Sequence, residues 1–217
     1  LIFVHEGIKK KNIFFFIRKK LKKKIKLIYV KNSHNKGISK SLNIGLKKCN
    51  YYLIFRLDID DTWKPNHAKT MLNEFKLDKK FLIYSNKSKH FNSGINDKNL
   101  ILDNPTIHSS WVINLHDMKK KKFRYLEEKP EDYSTLSHYY REGLDYKCIQ
   151  KKTVNYYNII DSFSKKKIAN RDFQDTRKKN LKSYLKKNSY IKLFFDLGIL
   201  GTIKFIKLLY EKNTSSI

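Results

Sequence analysis

The sequence predicts an α/β fold, a mostly parallel sheet flanked by helices and followed by a C-terminal helical extension. Three observations carry this. Short apolar runs alternate with helix-period stretches from Leu1 to Tyr84, in the order β-α-β-α-β-α-β. The run Tyr51 to Leu57 is apolar except for Tyr-rich ends and Arg56, as a buried strand is. Three acids, Asp58, Asp60 and Asp61, follow that run at once, and open α/β sheets bind ligands at the carboxyl ends of their strands.

Taken in order, Leu1 to Val4 is a short strand ending in a turn at His5-Glu6-Gly7. Asn12 to Lys24 carries Ile13, Phe16, Ile17 and Leu21 at helical spacing, with lysines opposite. Ile25 to Val30 alternates as a strand, and Asn32 to Gly37 is a turn. Ser39 to Lys48 is a helix with Leu42 and Leu46 inward. Pro65 suits the first position of the next helix, which runs to about Phe75, and Phe81 to Tyr84 is a strand. Asn86 to Asp103 is polar and loop-like. Ser109 to Leu115, Tyr146 to Ile149 and Thr153 to Tyr157 read as strands. Glu131 to Leu144 is a helix that opens on acids, which suits the positive end of its dipole. Lys165 to Lys187 is a basic helical stretch. The domain boundary is placed after residue 165, with 166–217 as a basic helical tail.

The 217 residues suffice for one domain with a core, and 40% hydrophobic with 14% aromatic content excludes general disorder. Lys+Arg is 48 against Asp+Glu 20, a formal net charge of +28. Such a charge points to an anionic partner: nucleic acid, an acidic membrane surface or phosphate-bearing substrates. Nearly all of the cations are Lys, whereas groove readers and phosphate clamps favour the Arg fork. Lysine spread evenly beside Ile and Asn fits compositional drift as well. Cys49 and Cys148 stand in no metal-ligand spacing and suggest no disulfide framework. No signal peptide is visible; the chain opens on a strand and not on Met, so an N-terminal piece is expected to precede it. The tail from Tyr190 to Tyr210 is apolar but interrupted by Lys192, Asp196, Lys204 and Lys207. That pattern fits an interfacial helix on an anionic bilayer, or a helix packed on protein, better than a membrane span.

The acidic cluster holds the most chemistry. Three close carboxylates repel one another and need a counter-charge. A hard cation, Mg²⁺ or Mn²⁺, supplies it and keeps open positions for phosphate oxygens. On an extended backbone Asp58 and Asp60 point the same way. Asp61 reads equally as a solvated acid of the turn. An EF-hand is excluded, since Trp63 stands where that loop needs Gly.

Phe55-Arg56-Leu57-Asp58-Ile59-Asp60-Asp61, with Trp63 and Pro65 following, resembles the DxD segment of family 2 glycosyltransferases of the Rossmann-like GT-A fold. Asn35 to Gly45 is similar to that family's N-x-G-x-S-x-(S/A)-x-N-x-G stretch, Val4 to Gly7 to its V-x-(D/E)-G turn, and Asn104-Pro105 through His108 to the segment before its ED motif, here Glu131-Asp132. The resemblance covers roughly residues 1 to 165, with the motifs in family order.

The resemblance implies an inverting transfer of sugar from a UDP- or GDP-sugar to a hydroxyl acceptor, with Mn²⁺ or Mg²⁺ as cofactor. It implies Glu6 on the nucleotide base, Asn35 and Gly37 where backbone approaches the nucleotide, Asn43 beside them, Asp58 on ribose, and Asp60 on the metal with Asp58. Asp132 would be the general base, and His108 would meet diphosphate or acceptor, though a lone His is as readily structural. Two departures stand out: the family's first strand and the loop after it have no counterpart, and Leu42 stands where many members carry Arg. The expected partners are a nucleotide-sugar, a glycan or lipid-linked acceptor and an anionic membrane surface, at the cytoplasmic side. The alternative of a nucleic-acid binder lacks any RNP, zinc-finger or helix-turn-helix signature and leaves the acids unexplained. A degenerate, non-catalytic relative is the other alternative.

Overall fold

The computed structural model describes residues 1–5, 13–20, 25–86, 95–155 and 167–210. The first half alternates as its sequence predicts: β1 (Ile2–His5), α1 (Ile13–Lys20), β2 (Ile28–Lys31), α2 (Ile38–Lys47), β3 (Leu53–Phe55), β4 (Thr62–Trp63), α3 (His67–Leu77) and β5 (Ile83–Asn86). Then follow α4 (Asp97–Leu102), a 3₁₀ turn at His108–Ser110, β6 (Val112–Asn114), α5 (Leu115–Lys120), α6 (Glu131–Arg141), β7 (Tyr146–Ile149), β8 (Val154–Asn155), α7 (Lys167–Lys187) and α8 (Tyr190–Tyr210).

β1 and β2 pair in parallel. The central sheet has the order β3-β6-β5-β7. β5 and β7 are parallel, and β6 opposes both β3 and β5, so three of the four strands share one direction. The α/β class and mostly parallel sheet are therefore as predicted, with one reversed strand inserted. A small antiparallel pair, β4 with β8, lies beside them.

The period of two along the strands explains why both faces are covered. Ile83 and Ile113 join Leu100, Trp111, Tyr133 and Leu136 in one core cluster, while their neighbours Tyr84 and Val112 join Met71 and Phe75 in another. α3 thus closes one face and α6 the other. Leu42 and Leu46 of α2 pack on the first cluster. Leu42 is accordingly a packing residue at the position where the resemblance led one to look for Arg.

Several element readings change, and β4 and α5 have no counterpart in the sequence reading. The stretch expected as loop, Asn86 to Asp103, contains α4, whose first turn is capped by Asn96 Oδ1 accepting the amide of Asn99 at 2.8 Å. α3 begins at His67, two residues after Pro65. Residues 63 and 64 are held beforehand by the β4–β8 pair, with the Lys64 amide donating to the Thr153 carbonyl. β3 is shorter than the apolar run that predicts it. The stretch expected as a basic tail contributes α7 and α8. Asn180 of α7 is buried, and its Nδ2 shares its two N–H donors among the Leu100 carbonyl, Tyr133 Oη and Ser137 Oγ, tying α7 to α4 and α6.

Candidate active site

β3 ends at Phe55, and the next six residues build the acidic end of the sheet. Burying Arg56 there demands a partner, because an unpaired charge is costly away from water. Its Nη2 pairs with Asp58 Oδ1. Burial works against the Arg56 cation, but the charge and hydrogen bond of Asp58, with Tyr125 and Glu131 adding to them, together outweigh it and hold the guanidinium ionised. Burial likewise opposes the Asp58 carboxylate, yet the Arg56 cation and the hydroxyl of Ser109 keep it below the usual carboxylate range.

The backbone from Asp58 to Asp61 is a turn, closed by the Asp61 amide donating to the Asp58 carbonyl at 3.2 Å. This corrects the extended geometry expected for the pair. Asp58 is half-buried, Asp60 is exposed, and Asp61 is turned inward at 6% exposure. Ser109 Oγ lies within hydrogen-bonding reach of both Asp58 Oδ2, at 2.8 Å, and Asp61 Oδ2, and accepts the Asp58 amide at 3.1 Å. One hydroxyl proton thus faces two carboxylates. Asp61, which reads from sequence as a solvated turn acid, is a buried member of this cluster.

His108 Nδ1 stands 3.7 Å from Asp58 Oδ2, and its Nε2 is 3.1 Å from Tyr125 Oη. The placement looks like an ion pair. Burial and the Arg56 charge, however, push the imidazole down to about 3, so His108 is neutral and contributes polarity and no charge at ordinary pH. Tyr125 is buried, which raises its phenol well above the ordinary value.

Asn43, expected beside the nucleotide, is occupied elsewhere. Its Nδ2 donates to the Tyr125 carbonyl and its Oδ1 accepts the Tyr125 amide, both at 2.8 Å. It fixes the backbone that carries Tyr125. Asn35 and Gly37 do form the expected turn: Asn35 Oδ1 accepts the Gly37 amide at 2.9 Å, and Gly37 has φ 83° with open space where a Cβ would be. Glu6 lies outside the described residues.

Asp132 sits in the first turn of α6. Its Oδ1 accepts the Tyr133 amide at 2.8 Å, and its Oδ2 accepts from Asn104 Nδ2 at 2.8 Å. Asn104 is oriented in turn by Thr106, whose amide and hydroxyl both donate to Asn104 Oδ1. Burial and then the neighbouring Glu131 raise the Asp132 carboxyl to about 7, with Asp58 adding to the effect. Burial also raises Glu131, again with a contribution from Asp58. The fold therefore brings Asp58, Glu131 and Asp132 within reach of one another's charge although 73 residues separate the first two.

Among the described residues no group of three or more His, Cys, Asp or Glu is arranged to hold a metal ion. The residues present do fit a hard cation of another kind. Asp60 is exposed, and the Asp58 carboxylate has lone pairs beyond those used by Arg56 and Ser109. Mg²⁺ and Mn²⁺ are commonly held by one or two carboxylates, with substrate phosphates and water completing the shell.

Residues 15–145 match glycosyl transferase family 2, a span of more than half the chain. The chain belongs to glycosyl transferase family 2. That span encloses Asn35, Gly37, Asn43, Asp58, Asp60 and Asp132 and leaves out Glu6. An uncharacterized glycosyltransferase of Haemophilus influenzae is 27% identical over 97 residues, which is 45% of this chain and 36% of that protein. The fold is shared with S. aureus TarS 1-349 in complex with UDP-GlcNAc, at TM-score 0.62 and 14% identity over 82% of this chain and 56% of that one. It is shared also with the mannosyltransferase PcManGT from Pyrobaculum calidifontis, in complex with GDP-Man and Mn²⁺, at TM-score 0.58 and 10% identity over 94% and 58%. This family 2 chain thus spans just over half the length of those two solved relatives, and about a third of the curated one.

Several partners in this family 2 site were not read from the sequence as site residues. Arg56 carried a signal, a cation inside an apolar run, which calls for a buried acid. Ser109 and Tyr125 carried none, since their roles depend on strand register and on the Asn43 clamp.

Proposed function

We propose that the chain is the catalytic part of an inverting glycosyltransferase that moves a sugar from a nucleoside diphosphate to a hydroxyl acceptor. The observation that carries this is the Asp132 carboxylate. It is aimed by Asn104 and the Tyr133 amide, raised to about 7, and set electrostatically against Asp58. A general base works best with a pKa near the working pH. Asp132 takes the acceptor hydroxyl proton while the acceptor oxygen attacks the anomeric carbon and the nucleoside diphosphate leaves from the opposite side. Asn104 keeps the receiving lone pair aimed at the acceptor.

Asp60, with Asp58, would hold Mn²⁺ or Mg²⁺, which would supply Lewis-acid charge stabilisation to the leaving diphosphate. Asp58, prevented from wandering by Arg56 and Ser109, faces the ribose. The Asn35–Gly37 turn lets backbone approach the nucleotide, because Gly37 adds no Cβ there. Glu6 is the proposed contact to the base. The donor is a UDP- or GDP-sugar: the solved relatives named above hold UDP-GlcNAc and GDP-Man, the latter with Mn²⁺. The acceptor is a growing surface glycan or a lipid-linked sugar, used at the cytoplasmic face of the membrane.

Two variants test the reading by thermal shift and transfer assay. Asp60→Ala should abolish the metal-dependent rise in melting temperature with a UDP- or GDP-sugar. Asp132→Asn should keep that rise and lower transfer by about 10²–10⁴-fold. Wild-type-like donor and metal binding in Asp60→Ala would remove Asp60 from the metal role. Normal transfer in Asp132→Asn would remove Asp132 from the base role.

A further inference from the structure

α8 has two unlike faces. The inner face carries Leu193, Leu197 and Phe205, packed with Ile101, Leu181 and Tyr184. The outer face carries Ile191, Phe194, Phe195, Ile199, Leu200 and Ile203, which are 40 to 84% exposed. They lie on both sides of Gly198, where φ 71° and ψ 174° end one helical segment and begin another, and the Thr202 hydroxyl donating to the Leu193 carbonyl at 3.3 Å marks the chain folding back there. Isolated exposed apolar residues are ordinary, but six within thirteen residues mark a contact surface.

The charges on the same helix are sorted. Its one acid, Asp196, is withdrawn to the inner side, where its Oδ2 accepts the Tyr184 hydroxyl. Its lysines, Lys192, Lys204 and Lys207, are all exposed, and exposed Lys186 and Lys187 end α7 just before it. The outer surface therefore offers apolar side chains and cations with no anion from α8 itself.

A second copy of the chain and a lipid surface are two occupants that such apolar side chains accept. A second copy would bring the same lysines and a formal +28 against +28, so electrostatics oppose it. An anionic bilayer supplies both missing partners, acyl chains for the apolar side chains and phosphates for the lysines. Spanning is not the geometry, since among the described residues no helix is long and apolar enough to cross a membrane. We propose that the two segments of α8 dock on an anionic bilayer surface, with Phe195, Ile199 and Leu200 at the acyl boundary and Lys192, Lys204 and Lys207 at lipid phosphates.

The inference needs no donor, metal or acceptor, so its failure would leave the transferase reading intact, and the reverse holds too. The test is co-sedimentation of the whole 217-residue chain with vesicles of phosphatidylcholine, with and without phosphatidylglycerol. The chain should pellet with the anionic vesicles, weakly with pure phosphatidylcholine, and less as salt is raised. The double variant Phe195→Glu/Leu200→Glu alters two side chains that are 78% and 84% exposed, so the fold should persist, checked by circular dichroism. It should lower the bound fraction by about tenfold or more. Lys204→Glu/Lys207→Glu should remove the preference for anionic lipid. Failure of the wild-type chain to pellet with anionic vesicles at low salt would overturn the proposal. So would unchanged binding by Phe195→Glu/Leu200→Glu, or a dimer on sizing that this variant converts to monomer without any vesicle binding in the wild type.

Discussion

At the scale of single residues, the acidic end of the sheet divides its carboxylates by environment. Asp58 is held ionised by Arg56 and Ser109, whereas Asp132 is raised by burial and by Glu131. Neighbouring carboxyl groups pushed in opposite directions are the usual arrangement for separate binding and proton-transfer roles. If Asp132 accepts the proton, it must be ionised first. Log kcat/KM should then rise with pH up to about 7 and level off above it, and the rise should vanish from the residual activity of Asp132→Asn. Ser109→Ala should cost about 1–3 kcal/mol, because it strips a buried donor from two carboxylates. Urea melts would measure it, and the variant should also bind donor more weakly, through a less constrained Asp58.

At the scale of elements, the sequence was legible wherever a pattern is local. β7 and α8 have the limits their sequences predict, and α2, α6 and α7 differ by only a few residues at an end. α4 was not legible: six residues are too short for periodicity, and Leu100 and Ile101 enter two different clusters. The pairing of β3 with β6, reversed and ahead of β5, was also hidden, since strand order is a property of the assembled sheet. The Asn35–Gly37 turn was legible because its chemistry is local. Gly37 holds a positive φ at the N-cap of α2, a conformation that strains residues with a Cβ. Gly37→Ala should therefore cost about 1–3 kcal/mol in a urea melt even though the space beside it is empty.

At the scale of the whole molecule, buried titrating groups pull in opposite directions. Burial lowers His67 to about 4 and His108 to about 3. The unfolded chain then binds more protons than the folded one below about pH 6.5, so these groups make stability fall as pH falls toward 4. Asp132 is raised, so the folded chain keeps a proton that the unfolded chain has lost above about pH 4. Its contribution falls as pH rises toward 7. The two trends offset in the wild type. Asp132→Asn removes the Asp132 share of the opposing trend, so the melting temperature should climb more steeply between pH 4 and 6.5 than in the wild type. A slope equal to that of the wild type would show that Asp132 is not raised in the fold. The charge of +28 was legible from composition, but its sorting on α8 was not, because Asp196 is drawn inward only by its contact with Tyr184.

The reversed direction of β6 has one more implication. Its register with β3 runs Leu53 to Asn114, Ile54 to Ile113 and Phe55 to Val112. The Arg56 amide continues it to the Trp111 carbonyl, and the same count brings Asp58 opposite Ser109. The contact between the acidic turn and its hydroxyl is thus the outermost rung of a ladder. Residues 53–58 and 109–114 are locked in length: gaining or losing one residue in either segment alone would slide Ser109 off Asp58, whatever side chain was added, whereas a matched pair of changes could restore it.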